Sequence, residues 1–82
     1  MNNNKEWIEK DNQLYKCFVF ADFSEAFGFM TRVALLAQCM DHHPKWTNTW
    51  NMVEIWLNTH DAGNIVTDKD RALAAGIDKI SA

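Results

Sequence analysis

Residues 14–44 read LYKCFVFADFSEAFGFMTRVALLAQCMDHHP, and this stretch decides the fold. From Leu14 to Ala21 the chain alternates. Leu14, Lys16, Phe18 and Phe20 share one face, and Tyr15, Cys17, Val19 and Ala21 the other. Aromatic and β-branched content at a period of two predicts a strand, with Lys16 interrupting an otherwise apolar face. Asp22-Phe23-Ser24-Glu25 has the spacing of a capping box, with Asp22 at the N-cap and Glu25 three residues inside the helix. A helix is expected to about Asp41. Ala26, Met30, Val33, Ala37 and Met40 form its apolar stripe, widened by Phe29, Leu36 and Cys39, with Phe27 and Leu35 outside it. A helix apolar over so much of its circumference is buried on two sides or meets another subunit. Gly28 lowers helix propensity, which points to close packing there. Pro44 stops the helix, because the residue before proline is pushed toward an extended backbone.

Upstream, residues 1–6 are polar and expected to fray. Trp7-Ile8-Glu9 is a short strand candidate, and Asp11-Asn12 is a turn that pairs it with the Leu14 strand as a hairpin. Downstream, Trp46 to Asn51 alternates again, and Asn51-Met52 is read as a tight connection. Val53, Ile55, Leu57 and Thr59 then share a face opposite Glu54, Trp56, Asn58 and His60. This predicts a second hairpin whose aliphatic face packs on helices, leaving Trp56 half exposed or covered by a partner. Residues 61–64 read as a loop. Thr67-Asp68-Lys69-Asp70 starts a last helix with N-cap spacing. The order β-β-α-β-β-α makes an α+β fold, an antiparallel four-stranded sheet with helices on one face, in one domain spanning 1–82.

Composition bounds the function. With 82 residues the chain has room for one domain. A net charge of −3 argues against direct nucleic-acid binding, which needs a basic patch. No apolar run has the length of a membrane span, and Met1-Asn2-Asn3-Asn4 lacks the order of a secretory leader. Cys17 and Cys39 are too few for a disulfide scaffold. The expectation is a soluble cytoplasmic protein without a bridge.

The chemistry-bearing residues are three histidines at element ends. His42-His43 closes the long helix and His60 closes the fourth strand, so helix-on-sheet packing can bring them together. Histidine is the side chain suited to proton transfer near neutrality. A plainer role is open too, since imidazole at a helix C-terminus is favoured by the dipole. Cys39, His42, His43 and His60 form a rival zinc set. Asp41 and Asp61 flank the histidines and can orient them. Asp70 can orient an imidazole or cap the last helix. Trp46 and Trp50 can wall a flat ligand or pack in the core. No phosphate loop or nucleophile motif is present, so proton transfer without a covalent intermediate fits the inventory best.

These same residues carry a resemblance. Phe18–Phe23, Ala26–Leu35, Asp41-His42-His43-Pro44-Lys45-Trp46, Asn51-Met52-Val53, Thr59-His60-Asp61 and Thr67–Asp70 are similar to the pterin-4a-carbinolamine dehydratase family, across about residues 7–80. The resemblance implies removal of water from 4a-hydroxytetrahydrobiopterin to give quinonoid dihydrobiopterin, with no metal or organic cofactor. By position, His42 and His60 match the family's proton-transfer histidines, and His43 the one that binds and orients the pterin. Asp41–His43 and Asn58-Thr59-His60-Asp61 match substrate-contacting segments, Asp70 an active-site acid, and Trp46 a tryptophan near the pocket. The resemblance also implies a homodimer or homotetramer joined through the long helix. Some animal members serve as dimerisation cofactors of a homeodomain transcription factor, so a binding module with a possible nuclear role is the second hypothesis.

The departures are specific. The family's usual N-terminal helix is expected to be absent or truncated. The loop before Thr67 reads one residue longer than usual. Gln38 stands where some members have Glu, and Asn58 where some have Ser.

Overall fold

The computed structural model describes residues 6–82. The readings of a frayed N-terminus and of an absent or truncated N-terminal helix fall mostly on residues 1–5, which lie outside the described residues. Two strands come first, β1 (Ile8–Lys10) and β2 (Gln13–Val19). Helix α1 (Phe23–Met40) follows, then β3 (Lys45–Thr49) and β4 (Met52–Leu57), and helix α2 (Asp68–Ser81) closes the chain. The sheet is antiparallel in the order β1-β2-β4-β3.

Turn chemistry sets the register. Asp11 and Asn12 both take left-handed φ, 53° and 61°, which joins β1 to β2 in a two-residue hairpin and pairs Lys10 with Gln13. The second hairpin turns on Trp50-Asn51, one residue earlier than the Asn51-Met52 connection expected, because Thr49 pairs with Met52. Trp50 therefore carries a φ of 49° without being glycine, a strain of about 1 kcal/mol. Asn51 offsets it: its Nδ2 donates to Phe20 O and its carbonyl accepts from Phe20 N–H, both at 2.9 Å.

The core lies between the sheet and the helices. Leu14, Phe18, Val53, Ile55 and Leu57 meet Ala26, Phe29, Val33, Ala37, Leu73 and Ile77. Phe29 sits against Phe18 and Phe20, with ring centroids 4.9 and 4.8 Å away. Lys16 stays on the core face and is buried. Its ammonium pairs with Asp78 of α2 at 2.9 Å and lies 5.0 Å over the Phe18 ring, so the interruption in the alternation is an ion pair between sheet and helix.

Helix α1 ends at Met40 with Asp41 as its cap, at the limit expected and ahead of Pro44. Two expectations for α1 change. Cys39 and Met40 are exposed although the stripe assigned them inward. Gly28 has only Arg32 Nη1 near the place of a Cβ, at 3.7 Å; the close approach is at Gly76, where a Cβ would stand 2.6 Å from Leu36 Cδ2. Within one chain α1 is buried on one side. Phe23, Phe27 and Leu35 remain exposed on the other, Leu35 by 69%.

Candidate active site

The end of α1 aims two of the histidines. Asp41 takes a left-handed φ of 51°, a conformation Asp tolerates better than most residues. Its N–H bonds Gln38 O at 3.1 Å and the His42 N–H bonds Ala37 O at 3.0 Å. This pair of bonds is a Schellman ending, which satisfies the last carbonyls and throws the chain out of the helix axis. His42 is thereby directed toward the start of α2. Its Nε2 lies 2.5 Å from Asp70 Oδ1. His43 is exposed, with Nε2 2.9 Å from Gln38 Oε1.

His60 arrives by another route. The fourth strand stops at Leu57, earlier than read from the alternation, and Thr59 makes an isolated bridge to Ile65. Between them His60–Ala62 forms a 3-10 turn, closed by Gly63 at φ 91° and Asn64 at φ 59°. The left-handed φ at Gly63 explains a glycine there. His60 Nδ1 is 3.1 Å from Asn64 Oδ1, so the loop holds its own imidazole.

These segments enclose a cleft of about 310 Å³ lined by Asp41, His42, His43, Asn58, Thr59, His60, Asp61 and Lys69. Trp46, Trp50 and Asp70 stand outside its walls, Trp50 being exposed in the turn between β3 and β4. Trp46 is partly buried and packs against the core. Asp70 is fully buried and meets the cleft through His42 and Thr59, which line it. Lys69 is a wall residue that sequence reading passed over; its place in the Thr67–Asp70 block was the available signal. Cys39 is exposed on α1 and does not join the walls, and among the described residues no three His, Cys, Asp or Glu side chains stand in a metal-binding arrangement.

Asp70 does both of the jobs open to it in the sequence. Its Oδ2 accepts from the Thr67 N–H at 2.9 Å, closing over the first turn of α2, and from the Thr59 hydroxyl at 2.8 Å. Its Oδ1 is left for His42. A carboxylate accepts only, so Nε2 of neutral His42 carries the proton and Nδ1 holds the lone pair. The same logic leaves Nδ1 of His43 and Nε2 of His60 as the ring atoms unused by their amide partners. Three imidazoles are thus each anchored at one nitrogen. The arrangement can accept and deliver protons at two or three points around one guest.

A second titratable cluster lies on the sheet face away from the helices. Tyr15 O–H donates to Glu54 Oε2 at 2.6 Å, and the Tyr15 ring lies 5.3 Å from Trp56, which carries Lys45 Nζ over its ring. Burial, then the hydrogen bond and negative charge of Glu54, push the Tyr15 phenol well above its ordinary value. Burial and Glu54 also push the Cys17 thiol up.

The model of the family described as Pterin 4 alpha carbinolamine dehydratase matches residues 1–80. A relative from Paraburkholderia xenovorans is 65% identical over 65 residues, covering 79% of this chain and 67% of its own. One from Rhodospirillum rubrum is 60% identical, covering 82% and 69%. Both names assign pterin-4-alpha-carbinolamine dehydratase activity provisionally. Among solved structures, a transcriptional coactivator/pterin dehydratase from Brucella melitensis superposes with a TM-score of 0.86 at 39% identity, over 94% of this chain and 81% of that one. A pterin dehydratase-like protein identified as a RuBisCO assembly factor in the alpha-carboxysome shares the fold, with a TM-score of 0.81 at 24% identity, over 98% and 94%.

Proposed function

The chain belongs to the pterin 4 alpha carbinolamine dehydratase family, and from that premise we propose that it dehydrates 4a-hydroxytetrahydrobiopterin to quinonoid dihydrobiopterin by histidine acid–base catalysis. One observation carries this reading: His42, His43 and His60 come from two separate segments and line one cleft. The reaction breaks the bond from C4a to oxygen and forms a C=N bond in the ring. The hydroxyl leaves with an added proton as water, and a ring N–H gives up its proton. His42 and His60 divide these transfers, one protonating the departing oxygen and the other receiving the ring proton. His43 orients the bicycle, with Asp41, Asn58 and Asp61 as polar contacts, Thr59 beneath them and Trp46 behind the wall. Ring electrons expel the hydroxyl, so modest acid–base help is sufficient.

Asp70 holds His42 in one tautomer, as a carboxylate does for an imidazole in other acid–base sites. The test is the dehydration rate of chemically generated carbinolamine. Acceleration over buffer by the wild-type protein is expected, unchanged by a strong chelator. A rate equal to buffer alone overturns the assignment.

A second reading rests on α1. Phe23, Phe27 and Leu35 are exposed along its outer side, which fits a homodimer or homotetramer and equally a protein partner such as a transcription factor. Native mass separates the cases: a multiple of the chain mass supports self-assembly, and a monomer removes it.

A further inference from the structure

Thr59 occupies an odd position. It continues the core-facing alternation of Val53, Ile55 and Leu57, is 7% exposed, and yet is a hydroxyl residue where an aliphatic one would pack. Its Oγ1 lies 2.8 Å from Asp70 Oδ2 and 2.6 Å from Thr67 Oγ1. Thr59 has one hydroxyl proton, and the ionised carboxylate only accepts. The Thr59 proton therefore goes to Asp70, and the Thr67 hydroxyl donates to Thr59. With the Thr67 N–H also on Oδ2, two donors pin that oxygen and fix the carboxylate plane. Oδ1 then faces His42. The Thr59 backbone does a separate job. Its N–H bonds Ile65 O at 2.8 Å, and its carbonyl accepts from Ala62 at 3.2 Å and Asn64 at 3.0 Å. Those bonds close the loop that begins with His60.

We propose that Thr59 is a positioning residue: its hydroxyl sets His42 through Asp70 while its backbone closes the loop carrying His60, so one residue fixes both imidazoles relative to each other. The kinetic consequence rests on the dehydratase reading of the cleft, whereas the ring geometry does not. Thr59→Val keeps the shape and the backbone and removes only the hydroxyl; Thr59→Ser restores it.

The first readout needs no substrate. Imidazole nitrogen NMR on the full chain is expected to show His42 in the Nε2–H form in wild type and in Thr59→Ser, and a mixture with the Nδ1–H form in Thr59→Val. The second is kinetic: kcat falls about tenfold in Thr59→Val with KM held within about twofold, and Thr59→Ser recovers it, since misaligned groups lose rate more than binding. Thr67→Ala, which removes the outer donor of the relay, shifts both readouts the same way by a smaller amount and serves if Thr59→Val does not fold. An unchanged His42 tautomer in the folded variants overturns the proposal, even where melting temperature drops. A wild-type protein inactive on the carbinolamine would sink the dehydratase reading alone and leave the tautomer result to decide this one.

Discussion

The cleft and the open face of the sheet each hold a carboxylate bonded to a titratable neighbour, and the two are built for different ends. Behind the cleft, Asp70 is fully buried and bonds His42, a ring with a second nitrogen beyond the bond. On the sheet, Glu54 bonds Tyr15, whose one donor proton is committed to the contact and whose oxygen faces Cys17 of the same strand. The first pair can pass the influence of its carboxylate on to a guest. The second stays between neighbouring side chains of β2 and β4 and ties the two strands together. A carboxylate becomes part of a proton-transfer site through the free end of its partner, and a short hydrogen bond alone does not make one.

The contrast breaks most sharply at Asp70. Asp70→Asn keeps the shape but presents an amide to His42 and Thr59, and kcat is expected to fall about 100-fold, the scale of a displaced acid–base group. A loss of less than about threefold would reduce Asp70 to a helix cap. His43→Ala comes next. It leaves the Asp70 relay intact, so KM is expected to rise about tenfold with kcat within about threefold, the pattern of lost uniform binding.

Tyr15→Phe sharpens the other half. Melting should show a stability loss of about 1 kcal/mol for the lost hydrogen bond, with turnover unchanged. The smallest effect is spectroscopic. Tyr15 is the single tyrosine, so ultraviolet titration reads it alone. In the folded protein the phenolate signal is expected well above the ordinary value of about 10, and at that value after denaturation. Because the folded value is raised, the stability it contributes is present in full below about pH 10 and is lost as pH climbs from there. A folded titration near the ordinary value would contradict the Tyr15–Glu54 contact.

The fold was largely legible because its signals are local. Asp11-Asn12 names its turn, Asp22 and Glu25 cap α1 with bonds of 2.8 and 3.2 Å, and β4 alternates cleanly. Where three-dimensional partners decide, the sequence is silent. Lys16 looked like a flaw until Asp78 came to meet it from 62 residues away. The ending of α1 depends on Asp41 adopting a left-handed turn, which no pattern marks as plainly as proline does. At the site, the histidines announced themselves by residue type. Lys69 and the hydroxyl of Thr59 did not, since one enters the cleft by the pitch of α2 and the other acts through a buried carboxylate. Trp46 could be read as a ligand wall or as core, and the register with Ile55 puts it on the core side.

The most direct test of the account is the turnover of 4a-hydroxytetrahydrobiopterin by the double variant His42→Ala with His60→Ala, set beside wild type under the same conditions. With both of the proposed proton-transfer groups gone, the rate is expected to drop by about 1,000-fold or more, to that of the uncatalysed solution. A folded double variant that still turns over within about threefold of wild type would contradict the assignment of the cleft.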